Sequence, residues 1–118
     1  MERRAKVEEL IKQELSKMIL SEVKDPRVGF VTVTGVKMTP DLREAHIYIS
    51  VMGGEAKAKD SMAGLKSAMP FFKRELGKRV RLRYMPSLSF ELDKSLDYSE
   101  HIQKLLLQVE RGDEIDKP

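Results

Sequence analysis

The sequence predicts a single α+β domain, a three-stranded sheet packed with helices. Three observations predict it. Apolar residues recur every three or four positions in residues 3–23 and again in residues 62–76, the period of amphipathic helices. The period changes to two in FVTVTGVKM and AHIYISV, which are rich in β-branched residues, as half-buried strands are. The chain has 118 residues and no internal repeat, enough for one core that removes roughly two-thirds of the unfolded surface from water.

The first helix carries Val7, Leu10, Ile11, Leu15, Met18, Ile19 and Val23 on one stripe. It should end near Lys24, because Asp25 precedes Pro26 and a residue before proline avoids the helical region. In the second strand Ala45, Ile47, Ile49 and Val51 share one face, with His46, Tyr48 and Ser50 on the other. Pro40 and Asp41 supply turn chemistry between the two strands, so an antiparallel hairpin is expected. Gly53 and Gly54 close it, and Met62, Leu65, Met69, Phe72 and Leu76 then continue a helical stripe straight through Pro70. An interior proline costs a helix about 3 kcal/mol, through a lost donor and a clash with the carbonyl four residues back. A break after Met69 is therefore expected, with a new short helix from Pro70 to Gly77 packing on the same core.

After Gly77 the string VRLRYMPSLSFEL alternates again, with Val80, Leu82 and Tyr84 opposite Arg79, Arg81 and Arg83. Pro86 and Ser87 interrupt it, which predicts an edge position or a bulge. A last helical pattern of Ile102, Leu105, Leu106 and Val109 should start at a cap on Asp97 or Ser99 and stop before Gly112. The domain is expected over residues 1–112, with the helix 97–111 at its periphery and a disordered tail over 113–118.

Charge is distributed unevenly. Twenty-two Lys and Arg oppose 19 Asp and Glu, a net charge of +3. Yet Lys73, Arg74, Lys78, Arg79, Arg81 and Arg83 crowd one stretch against the single acid Glu75, while the final ERGDEIDKP leans acidic. A basic segment in a nearly balanced protein suits a polyanion, nucleic acid above all; a solvated charged face is the competing reading.

Other classes find little support. With no cysteine, disulfides, thiolate metal sites and thiol nucleophiles are excluded. No apolar run has signal-peptide or membrane-spanning character, so a soluble intracellular protein is expected. His46 and His101 stand far apart without ligand-spaced neighbours. Ser21 and Lys24 match S-x-x-K without its partner motifs. Asp41, Asp93 and Asp97 lie in turn or cap contexts. No glycine-rich phosphate loop occurs, so neither enzymatic activity, metal nor cofactor is expected.

The element order is that of a type II KH domain, but such a domain clamps nucleic acid with G-x-x-G, and no two glycines here stand three apart. The strings K-D-P-R, G-F-V-T-V-T, P-D-L-R, R-E-L-G-K-R and F-x-L-D-x-S occur in order. Together they closely resemble the bacterial ribosome-binding factor A family over roughly residues 3–107. That resemblance implies a KH-like domain in which an interhelical kink, usually Ala-x-Gly, replaces the G-x-x-G loop. Here the kink reads Ala68, Met69, Pro70, so the bend is kept with less plasticity than glycine allows.

The resemblance further implies a cytoplasmic, monomeric assembly factor without catalytic activity. It would bind the free small ribosomal subunit and its rRNA during late maturation, near the 5′ end of that RNA. It would support processing and cold adaptation, with release linked to a ribosome-associated GTPase.

The candidate rRNA surface follows the kink. Lys59, Lys66 and Lys73 recur every seven residues, roughly opposite the Met62 stripe, and Lys73, Arg74, Lys78, Arg79, Arg81 and Arg83 continue around the bend. Arg3, Arg4 and Lys6 would extend it. Arg27 and Arg43 have two open readings: RNA contacts, or local contacts with Asp25 and Asp41. Phe30, Phe71, Phe72 and Phe90 are expected in the core, while Tyr48 faces away from the Ile47 stripe and could stack on a base. Binding would be electrostatic and shape-based. The competing function is a protein-binding adaptor acting through Leu105, Leu106, Leu107 and Val109 of the last helix.

Overall fold

The computed structural model describes residues 3–93; the expected helix over 97–111, its apolar residues, His101 and the tail lie outside the described residues. Within them the order is α1 (Arg3–Ser21), β1 (Val31–Met38), β2 (Glu44–Val51), α2 (Gly54–Ser67), α3 (Met69–Arg79) and β3 (Ser87–Leu92). This α+β arrangement of three helices and a three-stranded sheet fits the KH-like expectation.

The sheet is mixed, in the order β1-β2-β3, with β2 antiparallel to β1 and parallel to β3. Alternation in β2 places Ala45, Ile47 and Ile49 on the covered face, all fully buried. Against them pack Ile11, Leu15 and Met18 of α1, Leu65 of α2, and Phe72 and Leu76 of α3, also fully buried. Phe72 meets Phe90 of β3 edge to face, with centroids 5.5 Å apart. One core thus holds the helices to one side of the sheet.

The hairpin turn is fastened by its own side chains. Thr39 donates its hydroxyl to Asp41 at 2.6 Å, and the Asp41 carboxylate also accepts the Arg43 amide at 3.1 Å. These bonds hold the Asp41 carboxyl below the usual carboxylate range, the Thr39 bond most of all. Leu42 is left-handed, at φ 61°, and its side chain packs against the core.

Several expectations need correction. The first helix stops at Ser21 rather than near Lys24, and Leu10 of its expected stripe is exposed. Phe30 is 81% exposed: β1 buries Val33 and half-buries Val31, so its period of two sends Phe30 and Thr32 to the opposite face. Residues 80–86 form no strand. Parallel pairing starts with Ser87 opposite Glu44, the first residue of β2, so the residues before Ser87 have no strand beside them. Val80 and Leu82 still turn inward, which is why the segment alternates. Finally, α3 runs past Gly77 to Arg79. Gly77 has no positive φ, and a Cβ there would make an ordinary 3.4 Å contact with the Met85 methyl, so this glycine is not a helix stop and its space would admit a side chain.

Candidate nucleic-acid interface

The helix breaks at Ala68, one residue earlier than the break expected from Pro70. Its backbone (φ −84°, ψ 1°) leaves the helical well. The Ala68 amide still donates to the carbonyls of Gly64 and Leu65, at 3.1 and 3.2 Å, while the Ala68 carbonyl accepts the Phe72 amide at 3.0 Å and starts α3. Pro70 falls in the first turn of α3, where the missing N–H would lack an intrahelical partner anyway. Leu65 and Phe72 on either side of the break are both fully buried.

The loop before β1 is bolted to this kink. The Arg27 guanidinium forms a two-pronged pair with Asp25, at 3.0 and 2.7 Å, and also donates to the Ser67 hydroxyl at 3.0 Å. The Arg27 side chain and its backbone amide both donate to Asp25 and hold that carboxyl down at about 2. The buried Ser61 hydroxyl accepts the Gly29 amide at 3.1 Å. Gly64 lies so close to the loop that a Cβ there would meet Val28 Cγ2 at 2.6 Å. Ser61, Gly64 and Ser67 thus form one seam along α2, every third residue, against which K-D-P-R-V-G lies.

The candidate cations fall into distinct groups. Lys66, Lys73 and Arg81 are exposed and form no ion pair among the described residues. Arg74 approaches Glu75 only at 4.0 Å and lies over the Phe71 ring at 5.8 Å, and Lys78 reaches Glu75 at 3.4 Å. Burial alone would push the Glu75 carboxyl up, but the hydrogen bonds from Lys78 and Arg79 outweigh it and bring it below the usual range. Arg79 itself is engaged: it binds Glu22 at 2.7 Å, Glu75 at 3.1 Å and Glu14 at 3.7 Å. The Glu22 bonds above all raise its already high pKa. On α1, Arg3 and Lys6 are exposed and Arg4 is half-buried.

Lys59 and Lys66 do not oppose Met62. They rim one shallow hollow with Met62, Ala63 and Leu92, as positions i, i+3, i+4 and i+7 of one helix face must. A second hollow, at the end of α3, is lined by Lys78, Arg79, Arg81 and Arg83. Tyr84 beside it is 65% exposed, with the guanidinium carbons of Arg43 and Arg83 at 5.9 and 5.8 Å from its ring centroid. Tyr48 is half-buried on the uncovered face of the sheet. On that face His46 Nδ1 lies 2.7 Å from Glu91 and 3.2 Å from the Ser89 hydroxyl.

Sequence reasoning missed Ser61, Gly64 and Tyr84. The recurrence of small residues at 61, 64 and 67 could have flagged the first two as a close helix–loop approach. Tyr84 carried no signal, because its place in the alternation suggested the core. Among the described residues no group of three His, Asp or Glu is placed to hold a metal ion. No described helix is long and apolar enough to cross a membrane.

The family model for ribosome-binding factor A matches residues 3–106. A ribosome-binding factor A from Natranaerobius thermophilus is 45% identical over 112 residues, covering 95% of this chain and 86% of that protein. The crystal structure of ribosome-binding factor A from Thermus thermophilus superposes with a TM-score of 0.67 at 27% identity, over 75% of this chain and 93% of that one. A homology model of the Thermus thermophilus factor, fitted into a cryo-EM map of a complex with the 30S subunit, gives 0.54 at 25% identity, over 72% of this chain and 93% of that one. Matched over most of its length by sequence and by fold, the chain belongs to the ribosome-binding factor A family.

Proposed function

We propose that this protein is an assembly factor that binds the free small ribosomal subunit through its rRNA, by way of the cationic arc along α2, α3 and the loop after them. The observation that carries this reading is the exposure of Lys66, Lys73, Arg74, Lys78, Arg81 and Arg83 around one helical break, with Glu75 as the single acid among residues 66–83. A fixed bend lets consecutive cations follow a curved polyanion, and arginine's planar fork suits phosphate. The relative fitted into a 30S complex supports the same partner. In this reading Arg3, Arg4 and Lys6 extend the arc, Arg27 serves the kink through Asp25 and Ser67, and Arg79 braces α3 from behind.

The biological role that goes with it is late subunit maturation, including processing at the 5′ end of the small-subunit rRNA precursor and growth in the cold. The factor acts in the cytoplasm as a monomer without chemistry of its own, and a ribosome-associated GTPase acts in its release. The family resemblance supports these roles.

Co-sedimentation with free small subunits across a salt series tests the reading. The wild-type protein should bind with log affinity falling by about 0.7 to 0.9 per phosphate contact per unit of log salt. The triple variant Lys66→Glu, Lys73→Glu, Arg74→Glu, which leaves the Arg79 cluster intact, should stay in the supernatant. A folded variant that sediments as wild type does, or wild-type binding indifferent to salt, would refute the surface.

A further inference from the structure

We infer that Tyr84 is a stacking platform for one unpaired base of the bound RNA, flanked by Arg43 and Arg83; this rests on the RNA-binding reading above. Tyr84 follows two inward residues, Val80 at 4% exposure and the partly buried Leu82. Yet it turns its ring out of the core to 65% exposure, and its hydroxyl makes no hydrogen bond among the described residues. What the ring has instead is two guanidinium groups within 6 Å of its centroid, at 5.9 and 5.8 Å, the range of cation–π attraction. They come from separate parts of the chain, Arg43 from the hairpin turn and Arg83 from the loop itself.

The platform is held still from both sides. The Arg43 amide donates to Asp41 and its carbonyl accepts the Ser87 amide at 2.8 Å. Pro86 and Leu88, immediately after the ring, are buried. A ring on a pinned loop loses little freedom when a base lies on it. Donors for the neighbouring phosphates are at hand in Arg43, Arg83 and the adjoining hollow of Lys78 and Arg81.

The other exposed aromatic among the described residues differs. Phe30, at 81% exposure, neighbours Met52 at 71% across the open end of the hairpin and has no cation over its ring among the described residues. An acidic peptide would also answer to Arg43 and Arg83, but it has no use for the ring face. An exposed ring between two arginines beside a cationic hollow fits a nucleic acid strand with an unstacked base.

The test uses a short single-stranded RNA carrying 2-aminopurine, whose fluorescence falls when it stacks, with co-sedimentation on free small subunits run in parallel. Wild-type protein and Tyr84→Phe should quench the probe and bind it alike. Tyr84→Ala should lose the quench and bind roughly five- to hundredfold more weakly, the worth of one base–aromatic stack, at an unchanged salt slope. Equal quenching and affinity in Tyr84→Ala, or no quench in wild type, would overturn the platform. If subunit binding then stays salt-dependent, the basic-surface reading survives. If subunit binding is absent or flat with salt, that reading fails too. Because Tyr84 is exposed, Tyr84→Ala should fold, which circular dichroism checks.

Discussion

Arg79 at the end of α3 donates to both carboxylate oxygens of Glu22, at 3.0 and 2.7 Å, although 57 positions separate them. With Glu14 and Glu75 also in reach, at 3.7 and 3.1 Å, its side chain is only 26% exposed. The most heavily partnered cation of the basic segment is thus a brace between the residue just past α1 and α3. Its neighbours are the ones turned to solvent.

The first prediction separates these two kinds of cation. Arg79→Gln should lower the thermal midpoint, because it leaves three carboxylates facing one another, while the salt slope of subunit binding stays as in wild type. Lys73→Gln should do the reverse. Stability should move by no more than about 0.5 kcal/mol, as for exposed substitutions generally, while the slope falls by about 0.7 to 0.9, one phosphate contact. Thermal melts and salt-series sedimentation on both variants decide it. Arg79→Gln that melts as wild type does but binds with a shallower slope would reverse the assignment.

A second prediction concerns acid. Asp25 has a folded pKa of about 2 against 3.8 for the unconstrained group. A depressed carboxyl stabilises the fold above its unfolded value and loses that contribution as pH falls through the folded one. Asp25→Asn should therefore melt below wild type at neutral pH, and the gap should close between about pH 4 and pH 2. Asp41 and Glu75 are lowered in the same direction, so their loss has the same sign. Melts across a pH series check this; a gap unchanged at pH 2 would show that the Arg27 pair is not its source.

The seam between α2 and the preceding loop gives a third prediction, in which the sign is diagnostic. Within a helix, Gly→Ala ordinarily gains about 1 kcal/mol. At Gly64 the new methyl would stand 2.6 Å from Val28 Cγ2, and overpacking of that kind costs about 1–3 kcal/mol. Gly64→Ala should therefore destabilise. Ser61→Ala, which removes the partner of the Gly29 amide at 3.1 Å, should cost about 0.5–1.5 kcal/mol, the net worth of one hydrogen bond. Urea unfolding measures both, and a stabilised Gly64→Ala would mean that the loop does not lie against α2.

Features that depend on neighbours close in sequence are legible in the sequence itself. The α1 stripe apart from the exposed Leu10, the inward set of β2 and the Thr39–Asp41 turn follow from periods and turn chemistry, and so does a break near Pro70. Features set by pairing over distance are hidden there. The alternation of Val80, Leu82 and Tyr84 suggests a strand, but a strand needs a neighbour, and β2 begins too late to supply one. Phe30 is apolar enough for the core, yet a period of two decides its face. Arg79 and Lys73 are indistinguishable in sequence, since Glu22, which separates their roles, lies on the far side of the domain's first strands. The site was legible as a charge cluster and no further.

The last prediction weighs the proline against the packing. With Pro70→Ala a donor returns at position 70, and the carbonyl of Lys66 could accept it and continue α2 into α3. That bond is worth about 0.5–1.5 kcal/mol net. Straightening the helix would withdraw either Leu65 or Phe72, both fully buried, and losing such a side chain from a core costs about 2–5 kcal/mol. Packing wins, so Pro70→Ala should keep the bend. It should lose about 0.4–1 kcal/mol through the freer unfolded chain, and Pro70→Gly roughly 1 kcal/mol more. Urea unfolding gives the stabilities, and hydrogen exchange reads the geometry, because the amide at position 70 stays unprotected if the break persists. A strongly protected amide there would show that the proline, and not Leu65 and Phe72, makes the kink.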